Sequence, residues 1–161
     1  MIRLTSLVLF ACALGVSPAR AQSAPPPHLS VLDGTATLER GQERETATPN
    51  TPLALGDRLR TDLGRAEVLL GDGSALHLDE RTAIDLNGDS VVRLLDGRLI
   101  VLAESGAAGV LQIDSAPASV RLQSSGEVRL DLRGDGSGRA ELEVGVVRGL
   151  VDVMTDQGTV P

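Results

Sequence analysis

Two histidines, His28 and His77, and 22 acidic side chains are the groups in this 161-residue chain that could carry acid–base or metal chemistry. Glu67 and His77 lie on two apolar-alternating runs either side of Gly71-Asp72-Gly73, and pairing those runs sets them opposite each other. Such a pair can move a proton, or it can be an ordinary cross-strand contact of modest energy. His28 sits at the edge of a proline-rich stretch, so no second histidine supports a catalytic reading. Asp85-x-Asn87-x-Asp89, with Asp96 at the twelfth position, spaces oxygen ligands as a calcium loop does. Ser90 stands where that loop needs glycine, and the flanks read as strands. Asp131 to Gly138 offers similar acidic, glycine-rich chemistry. Ser90, after Gly88-Asp89, could be a nucleophile only with a histidine downstream, and none follows His77. Asp79-Glu80 could serve glycoside hydrolysis, and Arg58, Arg60 and Arg65 could hold phosphate or simply pair with acids. Schiff-base chemistry is excluded because the chain has no lysine, and zinc would need more His or Cys than exist. The expectation is no catalytic residue, no cofactor and no metal.

Those groups belong to one domain preceded by a secretory signal. Met1-Ile2-Arg3 is a short basic start, Leu4 to Val16 is apolar, and Ala19-Arg20-Ala21 is a small-x-small cleavage site. Cys12 lies early in the apolar run, which continues past it, so cleavage after Ala21 is preferred to lipidation; membrane contact would arise only if Cys12 were lipidated. The expected division is 1–21 signal peptide, 22–28 tether with Pro25-Pro26-Pro27, 29–155 β domain and 156–161 C-terminal tail. The product would be periplasmic or secreted. Cleavage removes Arg3 and Arg20, leaving 13 positive charges against 22 negative, a net of −9. That balance argues against nucleic acid and anionic membranes. The only aromatic, Phe10, leaves with the signal, so no ring remains to stack on a sugar or base.

The stretch that positions the chemistry runs from Leu55 to Leu78. Gly56 to Thr61 reads as a short strand, Leu63-Gly64 as a turn, and Ala66 to Leu70 with Ser74 to Leu78 as a hairpin closed by Gly73 in the left-handed region. A three-residue loop pairs Val68 with Leu76 and Ala66 with Leu78. That register gathers Ala66, Val68, Leu70, Leu76 and Leu78 on one face, leaving Glu67, Ala75 and His77 on the other, whereas a four-residue loop would mix the faces. Val31 to Glu39 reads as a strand pair around Asp33-Gly34, and Gly41 to Pro52 as a polar loop. Val91 to Leu102 reads as a second hairpin about Asp96-Gly97, setting Leu94 against Leu99 and Val92 against Val101. Further short strands follow to Val153. Weak helical periodicity and closely recurring turn signals predict an all-β fold, many short, mostly antiparallel strands in a sandwich or roll, with a β-solenoid as the alternative.

The order of these motifs resembles the FecR-type domain of bacterial cell-envelope proteins. Gly56, Asp57, Leu59 and Thr61 carry the first half of the pattern; Ala66, Val68, Leu70, Asp72, Gly73, Ser74, Leu76 and Leu78 carry the second. Asp96 to Leu99, Ile113 to Pro117 and Val147 to Val151 are similar to the later strands of that family. The resemblance implies a non-catalytic module acting by protein–protein contact, with the motif positions structural. Regulators of that family relay receptor occupancy at the outer membrane to a cytoplasmic sigma factor, and this chain matches their periplasmic part. The implied partner is an envelope or surface protein of unknown identity. The alternatives are a carboxylate-dependent hydrolase of envelope polymers and a calcium-stabilised adhesion module.

Overall fold

Apolar residues alternate with polar ones along every long run after Pro27, and these runs are strands in the computed structural model, which describes residues 24–104, 110–134 and 139–160. In chain order they are β1 (His28–Arg40), β2 (Glu43–Thr46), β3 (Arg58–Leu69), β4 (Ala75–Leu78), β5 (Ala83–Leu86) and β6 (Val91–Ala103). They continue with β7 (Gln112–Asp114), β8 (Ser119–Leu122), β9 (Gly126–Gly134), β10 (Ala140–Arg148), β11 (Val151–Thr155) and β12 (Gly158–Val160). No helix occurs among the described residues. The fold is all-β and mostly antiparallel, a barrel extended by a peripheral sheet, and it belongs with sandwiches and rolls instead of solenoids.

Three long strands make this architecture. The first half of β3 pairs with β5, Arg58 against Asp85, and its second half pairs with β4, Ala66 against Leu78. The first half of β6 likewise pairs with β5, Ile84 against Leu94, and its second half with β4, Leu78 against Leu99. The ring β3–β4–β6–β5 therefore closes. β1 follows β3 along both halves, from Glu39 against Arg58 to His28 against Leu69. One layer contains β2, the ends of β1 and β3 near Leu38 and Leu59, β5, the start of β6, and then β7, β8, β11 and β12. The other holds the remaining halves of β1, β3 and β6 with β4, β9 and β10. Strands that pass from one sheet to another through bends are a recognised way to build such corners.

The predicted core hairpin has the expected register. Val68 faces Leu76, Ala66 faces Leu78 and Glu67 faces His77, and Gly73 has a φ of +88°. The other predicted reversals are corrected. Val91 to Leu102 is not a hairpin but part of the single strand β6; Leu94 faces Ile84, and Leu99 faces Leu78 and Leu130. Asp33-Gly34 and Leu63-Gly64 are likewise bends inside β1 and β3. The cause at Gly34 and Gly64 is close approach. These residues face each other, and a Cβ on either would lie 2.2 or 2.1 Å from the opposing strand's carbonyl oxygen. At Gly97, with φ +88°, the ladder shifts register and the Thr82 side chain takes the place of a backbone partner. Its Oγ1 accepts the Arg98 N–H at 3.0 Å, and a Cβ on Gly97 would fall 2.5 Å from that oxygen.

Two stretches predicted as irregular carry strands. β2 lies within the expected 41–52 loop, with all four residues exposed, so it shows no apolar alternation. β12 pairs with β11 within the stretch expected as a tail, and β1 starts at His28, the last residue of the expected tether. The core is aliphatic throughout, with Leu29, Leu38, Val68, Leu76, Ile84, Val92, Leu99 and Ile113 almost wholly buried.

Candidate functional site

The polar residues of the core motif turn inward and are engaged there. Asp57 is 1% exposed; its carboxylate accepts from Arg40 Nε at 2.9 Å, from Arg40 Nη2 at 2.6 Å and from the Ala54 N–H at 2.8 Å. The Arg40 hydrogen bonds hold its pKa below the usual carboxylate value. Thr61 Oγ1 donates to the Asp79 carbonyl at 2.6 Å and accepts the Thr82 N–H at 2.9 Å, joining β3 to the turn before β5. Asp72 Oδ1 accepts the Ser74 N–H at 2.8 Å across the hairpin loop, and Ser74 Oγ accepts the Glu104 N–H at 3.2 Å. Leu59, Ala66, Val68, Leu70, Leu76 and Leu78 are core residues, and Gly56 and Gly73 supply left-handed corners. Among the described residues no buried side-chain polar atom lacks a partner.

The chemistry-bearing groups outside the motif collect on the outer face of the layer formed by β3, β4, β6, β9 and β10. Register places them in rows. Glu67, His77, Ile100, Arg129 and Gly145 lie side by side across five strands. Next to that row, Arg98 of β6 faces Asp131 of β9, which faces Glu143 of β10. Asp79, just past β4, accepts from Arg65 Nε at 2.9 Å and from Arg98 Nη2 at 2.7 Å. Arg133 pairs with Asp131 and reaches Glu143 at 3.7 Å, and Arg129 pairs with Glu127 at 3.1 Å. These residues, Glu67 apart, line an open hollow of about 810 Å³ whose half-buried apolar side chains are Ile100 and Leu102. The Arg65 hydrogen bond holds the Asp79 carboxyl below its ordinary range.

Glu67 and His77 do face each other, His77 Nδ1 lying 3.5 Å from Glu67 Oε2. Ser30 Oγ, however, donates to Glu67 Oε1 at 2.5 Å. The carboxylate thus stands between serine and histidine. A nucleophilic triad needs the imidazole in that middle position to take the serine proton, so this trio does not activate Ser30. Asp85 is held by Arg58 through bonds of 2.6 and 3.0 Å, and its strand partner on β6 is Arg93. Asp96 faces Ala83 at the β6 bulge, so the residues of the calcium-like spacing are not gathered. Among the described residues no group of three or more His, Cys, Asp or Glu side chains is placed to share a metal ion. Ser90 lies in the bend just before β6, in the opposite layer from the outer face that bears His77. Arg65 and Arg58 pair with Asp79 and Asp85, and Arg60 has no ion pair among the described residues. Cys12, the signal segment and part of the Asp131 to Gly138 stretch lie outside the described residues.

Sequence reasoning missed most of this face. Arg98, Ile100 and Leu102 were hidden by reading β6 as a hairpin, which folds them back beside Arg93 and Leu95. The available signal was on β9, where Glu127, Arg129, Asp131 and Arg133 alternate in sign at every second residue between apolar neighbours. That is the mark of a strand with one buried face and one charge-matched face.

The result is an all-β module with a satisfied interior, among the described residues, and a mixed-charge, open outer face. The chain belongs to the FecR protein family, whose model matches residues 57–152, from the buried aspartate at the start of β3 into β11. No curated protein and no solved structure matches it.

Proposed function

We propose that this chain is a non-catalytic FecR-family β-module of the bacterial cell envelope, acting by protein–protein contact in cell-surface signalling. It is periplasmic or secreted after cleavage behind Ala21, and it docks an envelope protein on the hollow outer face of the β3–β4–β6–β9–β10 layer. The observation that carries the reading is the division of labour between the two sides of these strands. The motif residues Gly56, Asp57, Leu59, Thr61, Ala66, Val68, Leu70, Asp72, Gly73, Ser74, Leu76 and Leu78 serve the interior and its corners, so their role is structural. The outer face instead sets arginines and carboxylates in alternating rows around Ile100 and Leu102. Alternating charge fixes the orientation of a partner more than it adds affinity, and a desolvated aliphatic centre supplies the latter.

A photo-reactive residue placed at Ile100 in the exported protein should crosslink one envelope protein in cells, and Arg98→Glu should abolish that product. The same probe at the exposed Arg93, in the opposite layer, should not capture it. Equal capture from both sites would remove the docking face. Cleavage of peptidoglycan or polysaccharide by the purified protein would put the hydrolase reading in its place.

A further inference from the structure

β10 ends its layer. It pairs with β9 on one side, and among the described residues no strand pairs with the other. It is nine residues long, contains neither proline nor lysine, and leaves Val146 and Val147 47% and 55% exposed. A long edge with a row of unpaired backbone groups is a template for another strand. The charges along it say which strand. β10 meets β9 with Glu127 opposite Arg148, Val128 opposite Val146, Arg129 opposite Gly145 and Leu130 opposite Val144, with a bulge at Val147. Glu141-Leu142-Glu143-Val144 repeats the acid–apolar–charged–apolar order of Glu127-Val128-Arg129-Leu130.

We propose that β10 pairs antiparallel with β10 of a second copy of this chain about a two-fold axis at Val144. Val144 then faces itself, Glu143 faces Gly145, Leu142 faces Val146, and beyond the bulge Glu141 faces Arg148. Glu141 faces Arg133 across β9, and Arg148 faces Glu127, so both side chains lie on the outer face and can meet. The two-fold axis makes the pairing twice, and neither Glu141 nor Arg148 is held in an ion pair among the described residues. Moving the axis to Glu143 would set that carboxylate against its own copy, a like-charge pair that destabilises. Moving it to Gly145 would, past the same bulge, set Arg148 against Glu143, which Arg133 already reaches, and Leu142 against Gly149, leaving Glu141 opposite Leu150. Val144 is therefore the register that matches charges unpaired among the described residues to each other and keeps Leu142 opposite Val146. The resulting interface is isologous and closes at two chains. It uses the strand edge, so the outer faces of both copies stay open and run into one another.

Sedimentation velocity of the full chain, followed by interference optics because the sequence has no tryptophan or tyrosine, reads the association directly. The expected result is a concentration-dependent dimer. Glu141→Arg and Arg148→Glu should each weaken it about tenfold, by replacing two opposite-charge pairs with two like-charge ones. The double variant Glu141→Arg/Arg148→Glu should recover it. Both residues are exposed, and circular dichroism checks that each variant keeps its sheet. A wild-type monomer, a dimer indifferent to both single changes, or a double variant no better than either single would overturn the proposal. So would capture of a foreign strand along β10 by the monomer.

Discussion

The Asp57 carboxylate is held on three sides by Arg40 and the Ala54 N–H, and it fixes the loop entering β3 to the end of β1. Its folded-state pKa lies below the ordinary value because those donors favour the charged form. A depressed carboxyl pKa contributes stability that is present above the unfolded-state value and is lost as pH falls through the folded one. Asp57→Ala should therefore lower unfolding free energy at pH 7 by about 1.5–3 kcal/mol, the worth of buried hydrogen bonds to a charged group. The difference from wild type should shrink as pH drops below about 4. Urea unfolding at several pH values measures both. This role was only half legible in the sequence. Gly56-Asp57 announces a corner, but the partner Arg40 is 17 residues away across a polar stretch, and no local pattern connects them.

At the scale of elements, the same glycine signal has two outcomes here. Asp72-Gly73 reverses the chain because the strands on either side pair with each other. Asp96-Gly97, Asp33-Gly34 and Leu63-Gly64 do not, because the flanking halves pair with other strands on both sides. Positive φ is a property of one residue and is readable; whether the chain turns back is decided by partners distant in sequence and is not. The alternation that placed Val68, Leu76, Leu94 and Leu99 inside survived this error, since a bulge that shifts side-chain parity by one residue returns the chain to the same buried face, as a two-residue turn would. What the error cost was the outer face, whose membership depends on which strands are neighbours. The crossing of β1 and β3 makes a sharp test. Gly34→Ala should destabilise by about 1–3 kcal/mol beyond the backbone cost alone, because its Cβ would meet the Leu63 carbonyl oxygen at 2.2 Å. Gly41→Ala, with a φ of +63° and nothing within 4 Å, should lose only about 1–2 kcal/mol. Thermal unfolding of the two variants side by side gives the contrast.

At the scale of the whole molecule, three strands belong to both layers, so neither layer can open without pulling on the other. Native-state hydrogen exchange should give Leu59, in one layer, and Val68, in the other, the same highest protection, since both lie on β3 and both are buried. Markedly earlier exchange at Leu59 would mean that the layers unfold separately. The family match starts at Asp57, yet the fold starts at His28. A polypeptide trimmed to the matched span would lack β1, and β3 would lie bare along the flank that β1 covers. The aliphatic sockets that receive Leu29 and Leu38 would stand open to water beside it. Such a fragment would clump with its neighbours instead of folding, so the smallest self-sufficient unit of this protein is larger than the segment by which its kin are recognised.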